Sequence, residues 1–170
     1  NDRGEALNPF EILKGKMIGM LPKGDMSTSY SEKWNNSISV LHGKEDEFFT
    51  TMLKSKFVFK RNSKLESDIN NLYHRYLFDN NEIADKLKFR KVDANHVQNI
   101  KNFIDNDVIY YSQLYANLIT NPNEYLIYCN QINYLSGQYQ NVLSACNIND
   151  SQENEKILSI AKEYDRIWML

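Results

Sequence analysis

Residues that break regular structure are scarce over most of this sequence. Of its six glycines and three prolines, only Gly137 and Pro122 lie beyond residue 44. Because glycine and proline interrupt helices and strands, their scarcity indicates nearly continuous helix over residues 44–170, whereas their clustering near the start predicts a poorly regular arm over residues 1–30. We therefore expect an all-α protein, an irregular bundle of five to seven helices over residues 31–170 that follows this Gly/Pro-containing N-terminal arm.

Long apolar runs and clustered metal ligands are also missing. A membrane-spanning helix needs about 18 predominantly apolar residues, and Asn or Gln interrupts each apolar run of residues 108–149 well before that length. Cys129 and Cys146 are 17 positions apart with no histidine near either, which fits no zinc-binding pattern. We predict no transmembrane segment, no metal site and no cofactor.

The overall charge of the chain is slightly negative. The formal net charge is −2 and the isoelectric point is near 5.9, so we expect no general attraction to nucleic acid or to acidic membranes. Hydrophobic residues make up 42% and charged residues 25%, as is ordinary for a soluble globular domain. The first residue is Asn1 rather than Met, which favours a secreted or periplasmic location over a cytoplasmic one as an expectation.

Capping patterns predict several helix boundaries. Asn and Pro at residues 8–9 are typical of a helix start, since proline suits the first helical position, and Asp93 is expected to cap the longest helix. The run Asn-Pro-Asn-Glu at residues 121–124 should end that helix and start the next, because the residue before a proline disfavours the helical conformation. Asn121 is the expected cap, and the next helix is expected to continue to about Cys146.

The two cysteines allow two arrangements. In one continuous helix they lie on the same seam, roughly 25 Å apart at 1.5 Å per residue, which is too far for a disulfide. If the helix breaks at Gly137 instead, they can face each other across a hairpin. We favour the continuous helix with two free, buried thiols, because cysteine is commonly buried as a small apolar residue; the disulfide is the alternative.

Charge is unevenly distributed along the chain. Residues 54–91 contain ten basic and five acidic residues, whereas residues 105–155 contain six acidic residues and neither Lys nor Arg. Such asymmetry bears on partners, and it predicts a basic partner on the 105–155 side. The basic stretch suggests an alternative function, binding to an anionic surface or, less expected, to nucleic acid. The candidate residues of that basic patch are Lys54, Lys56, Lys60, Arg61, Lys86, Lys88, Arg90 and Lys91.

One spacing suggests an enzyme. Arg90 and His96 have five residues between them at the predicted start of the longest helix. This pair resembles the Arg-and-His signature of the HEPN ribonucleases, dimeric helical proteins in which paired Arg and His side chains act on RNA without a metal. The resemblance covers these two residues only, and it implies a metal-independent ribonuclease with Arg90 and His96 as its catalytic residues.

The main functional prediction comes from residues 108–149. This segment is rich in Tyr, Asn, Gln and Ser, and its only charged residue is Glu124. Binding surfaces favour this composition, because Tyr supplies contact area at low entropy cost while Asn and Ser adapt their hydrogen bonds. We predict a non-enzymatic protein–protein interaction module of the inhibitor, immunity or secretion-accessory type, with a second copy of the chain as an alternative partner. The predicted contact residues are those expected to be exposed because they lie off the apolar seam of the helices: Tyr110, Gln113, Asn117, Tyr128, Gln131, Tyr134, Gln138 and Asn141.

Overall fold

The computed structural model describes residues 6–57 and 63–168, and throughout these ranges the regular structure is helical, with no strand. The all-α prediction is confirmed, although the nine helices in the described part of the chain exceed the predicted five to seven. The helices are α1 (Pro9–Gly19), α2 (Asp25–Ser39), α3 (Glu45–Phe57), α4 (Ser63–Tyr76), α5 (Glu82–Leu87), α6 (residues 96–120), α7 (residues 124–132), α8 (Gly137–Ala145) and α9 (Glu153–Trp168).

Two of these helices contain a π-helical segment. In α6 it covers Phe103–Val108, and in α7 it covers Ile127–Ile132. A π segment shifts the side chains that follow it around the helix axis, and such segments are frequent at functional sites. The second segment lies in the uncharged region that the sequence singled out for binding.

The prediction of a poorly regular N-terminal arm is wrong. Residues 9–19 form α1, and α2 runs through residue 30. The predicted start at residues 8–9 is correct, and the Asn8 N–H donates to Glu11 Oε2 at 3.3 Å. Gly15 costs this helix about 1 kcal/mol, but Leu13 and Met17 on its inner face are fully buried. Each such side chain contributes about 1.5–3 kcal/mol, so burial outweighs the glycine.

The centre of the bundle is α3, which packs against α1, α4, α6 and α8. Its Phe48, Phe49, Met52 and Leu53 side chains are fully buried. Aromatic rings from three other helices contact the two phenylalanines: Trp34 stacks on Phe49 with centroids 5.3 Å apart, Tyr73 stacks on it at 5.6 Å, and Tyr115 lies 5.8 Å from Phe48. Such pairs add specific geometry to the burial of apolar area.

Two predicted helix caps are wrong, although both boundaries exist. The longest helix begins at His96, not at Asp93, because the Asp93 carboxylate accepts from the backbone N–H and the guanidinium of Arg90. After Pro122 the cap is Asn123 instead of Asn121, and Asn123 Oδ1 accepts from the Leu126 N–H at 2.9 Å. Asn121 is instead the C-terminal cap of the preceding helix, α6, and its N–H donates to the Asn117 carbonyl.

The predicted continuous helix from Pro122 to Cys146 is also wrong. Residues 133–136 separate α7 from α8, and Gly137 begins the second helix. A Cβ at Gly137 would lie 2.5 Å from the hydroxyl oxygen of Tyr164 on α9, so this glycine permits a close approach between helices. Both cysteines are nevertheless free and buried, as predicted.

None of the helices within residues 6–57 and 63–168 combines the length and the apolar character that crossing a membrane requires.

Candidate functional site

The connection between α7 and α8 has an unusual residue at its turning point. The Leu135 N–H donates to the Cys129 carbonyl at 2.8 Å, and Tyr134 between them has a φ of 57°. This is the common helix ending in which the residue after the helix adopts the left-handed conformation and is usually glycine. A non-glycine residue pays about 1–2 kcal/mol for that conformation, so Tyr134 is held in a strained position.

Side chains fix the backbone of this connection. The Leu135 carbonyl accepts from Asn130 Nδ2 at 3.3 Å and from Gln138 Nε2 at 2.9 Å. Gln138 is fully buried, and its Oε1 has no hydrogen-bond partner within the described residues. The strained turn is therefore held by hydrogen bonds from both flanking helices.

The same segment exposes a row of large apolar side chains. Tyr134 is 87% exposed, Ile132 56%, Tyr128 48% and Ile127 37%. Gln131 between them is also exposed. We call these five residues the 127–134 surface. Contiguous exposed apolar area usually marks an interaction site, whereas single exposed apolar residues are ordinary.

Helix α9 also carries exposed apolar side chains. It packs against the first turn of α7, and the Cys129 thiol donates to Asp165 Oδ1 at 3.7 Å. Ile167 and Trp168 lie on the last described turn of α9, next to Asp165, and they are 63% and 60% exposed. Exposed apolar side chains thus occur on both of the elements that meet at Cys129.

The predicted contact residues do not all share one environment. Tyr128, Gln131, Tyr134, Asn141 and Gln113 are exposed, and Asn117 is half-buried. Tyr110 is half-buried too, and its hydroxyl donates to Glu153 Oε1 at 2.7 Å, while burial first and then this carboxylate raise the pKa of Tyr110. The assignment of Gln138 to the exposed set is wrong, because its amide is used inside the fold. The sequence patterns did not identify Ile127, Ile132, Ile167 and Trp168 as exposed side chains.

The predicted basic patch does not form one free surface. Lys60 and Arg61 lie outside the described residues. The Lys56 ammonium donates to the Cys146 carbonyl at 2.7 Å and lies 4.7 Å from the centre of the Tyr111 ring, and burial lowers its pKa. Lys86 pairs with Glu82 at 3.0 Å. Of the remaining patch residues, Lys88 and Lys91 are exposed and Lys54 is half-buried.

Arg90 is held by its neighbours. Its guanidinium lies 2.7 Å from Asp85 Oδ1, 3.2 Å from Asp93 Oδ2 and 3.3 Å from Asn80 Oδ1. The hydrogen bond from Arg90 holds the pKa of Asp93 below its usual range. His96 is the first residue of α6, six positions after Arg90. This arrangement gives Arg90 a structural task, and its catalytic role stays a prediction.

The acidic side of the chain is partly neutralised by basic side chains. Asp105 accepts from Lys33 at 2.6 Å and from Tyr30 at 2.5 Å, and these two hydrogen bonds lower its pKa against the opposing effect of burial. Asp150 accepts from Lys156 at 2.5 Å, and this bond, with backbone N–H groups, lowers its pKa to about 2. Glu124 and Glu155 remain exposed on this side.

Among the described residues, no group of three His, Cys, Asp or Glu side chains comes together as a metal site would require. A comparison with protein-family models and searches of curated proteins and of solved structures find no match for this chain.

Proposed function

We propose that this chain is a non-enzymatic helical module that binds another protein through the 127–134 surface and the end of α9. The observation that carries the proposal is Tyr134. Its backbone is strained by about 1–2 kcal/mol, yet its side chain is 87% exposed and gains little from the fold. Glycine would adopt this conformation without that cost, and residues held in such conformations are frequent at functional sites.

The energetics of the surface support a protein partner. Burying a large side chain such as Ile132 or Tyr134 contributes about 1.5–3 kcal/mol, and Trp and Tyr are the residues most often found at the centres of interfaces. Hydrogen bonds from Asn130 and Gln138 to the Leu135 carbonyl fix the backbone beside the surface before a partner binds. Pre-organisation of this kind lowers the entropy cost of association.

The charge of residues 105–155 bears on what the partner is like. Glu124 and Glu155 are exposed on a side whose own sequence, residues 105–155, supplies no Lys or Arg. A partner with an apolar recess and a basic rim complements this arrangement, since opposite charges at the rim speed encounter and exclude wrong partners. A partner of this chemistry is compatible with an inhibitor, immunity or secretion-accessory role.

The proposal is tested by affinity capture followed by reconstitution. The wild-type chain and the triple variant Tyr128→Ser, Ile132→Ser, Tyr134→Ser are used as baits in lysate and secreted fractions of the source. Each captured protein is then purified, and its dissociation constant is measured by calorimetry. We expect a basic protein that binds the wild type and whose affinity for the triple variant falls at least about a hundredfold, as loss of several central contacts predicts.

A matched control separates this surface from general stickiness. Val92 is 88% exposed and lies in the connection between α5 and α6, far along the chain from the 127–134 surface. Val92→Ser should leave the affinity unchanged. Equal binding by the wild type and the triple variant would refute the proposal.

A further inference from the structure

A cleft lies between α3 and α8, apart from the surface described above. Ser55 Oγ donates to the Gln140 carbonyl at 3.1 Å, and Ser144 Oγ donates to the Ser55 carbonyl at 3.4 Å, so small side chains let the two helices touch at this level. Towards the start of α3 the helices leave a cavity of about 350 Å³ between them. Small-molecule sites begin at about this volume.

The cleft is lined by polar side chains together with two tyrosine rings and Ile119. Tyr115 and Tyr139 meet edge to face with ring centroids 5.6 Å apart, and Ile119 lies beside them. Both tyrosine rings are buried. Burial first, and then the Glu47 carboxylate, raise the pKa of each hydroxyl, so both remain neutral hydrogen-bonding groups. An aromatic ring with polar groups at its ends fits a cleft that combines tyrosine rings with polar side chains.

One wall of the cleft carries an ammonium group without a partner. Lys54 is half-buried at the cleft, and no ion pair or hydrogen bond engages it within the described residues. The other lysine of the cleft, Lys44, pairs with Glu47 at 3.4 Å. Lys54 therefore offers positive charge to a ligand, whereas the Lys44 end is already balanced.

The positions of the charged groups set the length and polarity of a ligand. Lys54 and Glu47 are seven residues apart on α3, which places them about 10 Å apart along the helix axis. An anionic group at Lys54 and a hydrogen-bond donor towards Glu47 would lie at opposite ends of the tyrosine pair. A molecule with the two groups reversed would put its anion against the carboxylate.

From this arrangement we propose that the cleft binds a small planar organic acid with a hydrogen-bond donor at the end opposite its carboxylate. The carboxylate pairs with Lys54, the ring packs against Tyr115 and Tyr139, and the donor faces Glu47. None of the five residues of the 127–134 surface lines the cleft, although Asn130, Ser136 and Gly137 beside that surface do, and the proposal does not depend on the proposed function.

The test is a titration followed by amide chemical shifts in heteronuclear NMR spectra, with 4-hydroxybenzoate as the probe. We expect saturable shifts at Thr51, Lys54 and Gln140. Benzoate, which lacks the donor, and 4-hydroxybenzamide, which lacks the charge, should each bind about twofold to fivefold more weakly, the range for one partly exposed polar or ionic contact. Absence of saturable shifts with about 10 mM 4-hydroxybenzoate, or equal binding of the neutral amide, would overturn the proposal.

Two variants test the orientation. Lys54→Met should abolish the preference for 4-hydroxybenzoate over 4-hydroxybenzamide, and Glu47→Ala should abolish its preference over benzoate. Lys162→Met, at an exposed position on α9, is the control and should change neither preference. If Lys54→Met keeps the full preference for the charged probe, the assignment of the anion to Lys54 is wrong.

Discussion

Replacement of Tyr134 by glycine should make the protein more stable, although it removes a large side chain. The residue has a φ of 57° at the end of α7, and a non-glycine residue pays about 1–2 kcal/mol there. Because 87% of Tyr134 is exposed, removing its ring loses only about 0.2–0.4 kcal/mol of burial. Glycine also has more conformational freedom in the unfolded chain, which lowers the stability of the variant by about 0.5–1 kcal/mol. The net expectation is a gain of about 0.5 kcal/mol.

Tyr134→Ala separates the backbone from the side chain. Alanine removes the ring and keeps the strain, so it should be slightly less stable than the wild type, by about 0.2–0.4 kcal/mol. Glycine should exceed alanine by about 0.5–1 kcal/mol. Both variants should bind the partner equally weakly, because both lack the ring.

The assay is equilibrium unfolding in urea, followed by circular dichroism for all three proteins at one pH. The midpoints should rank glycine above wild type above alanine, with equal slopes, since the exposed area changes little. A glycine variant less stable than the wild type by more than about 1 kcal/mol would refute the reasoning. It would show that the Tyr134 ring stabilises the fold, which contradicts the view that it is exposed only to bind a partner.

Three further predictions concern substitutions at Asp107, at Gly15 and at the Arg90–His96 pair. Burial raises the pKa of Asp107 from 3.8 to about 6, so its ionisation opposes folding and its own contribution to stability falls as pH rises from about 4 to about 6; that pKa change corresponds to at most about 3 kcal/mol. Asp107→Asn should therefore be more stable than the wild type by about 1–2 kcal/mol at pH about 7.5 and equal to it at pH about 4, and a gain independent of pH would contradict this cause. Gly15→Ala should add about 0.5–1 kcal/mol to the free energy of unfolding, because a Cβ there meets nothing within 4 Å; a loss would mean that α1 is strained at this position. Arg90→Ala should lower the melting temperature and His96→Ala should not; loss of metal-free cleavage of single-stranded RNA in both variants, with cleavage by the wild type, would instead support the ribonuclease alternative.

The helical class and much of the core could be predicted because they depend on local pattern. The helical spacing of Phe48, Phe49 and Met52 matches their burial in α3. The stop at Pro122 was also predictable, since proline restricts the residue before it whatever the tertiary context.

Two elements depended on contacts between distant residues and were not predictable in this way. Residues 9–19 are helical because Leu13 and Met17 are buried against other helices, which outweighs the local cost of Gly15. The break at residues 133–136 is marked by no breaker at its own turning point, where Tyr134 occupies the position that glycine usually takes. Gly137, the only glycine nearby, instead begins α8 beside Tyr164 on α9.

The candidate surface could be predicted in composition but not in detail. Tyr128, Gln131 and Tyr134 were identified because they lie off the apolar seam of one continuous helix. Since that helix is broken at residues 133–136 and α7 contains a π segment over Ile127–Ile132, the positions from residue 127 onward differ in phase from those of one continuous α-helix. This is why Gln138 is buried while Ile132 is exposed.

The most direct test of the central claim is the affinity of a purified partner for the wild type, for Tyr134→Gly and for Val92→Ser. If the 127–134 surface is the contact, Tyr134→Gly should weaken binding by about thirtyfold, or about 2 kcal/mol, while its stability is at least that of the wild type. Val92→Ser should bind as the wild type does. Unchanged affinity in Tyr134→Gly would contradict the proposal that this exposed, strained tyrosine serves a partner.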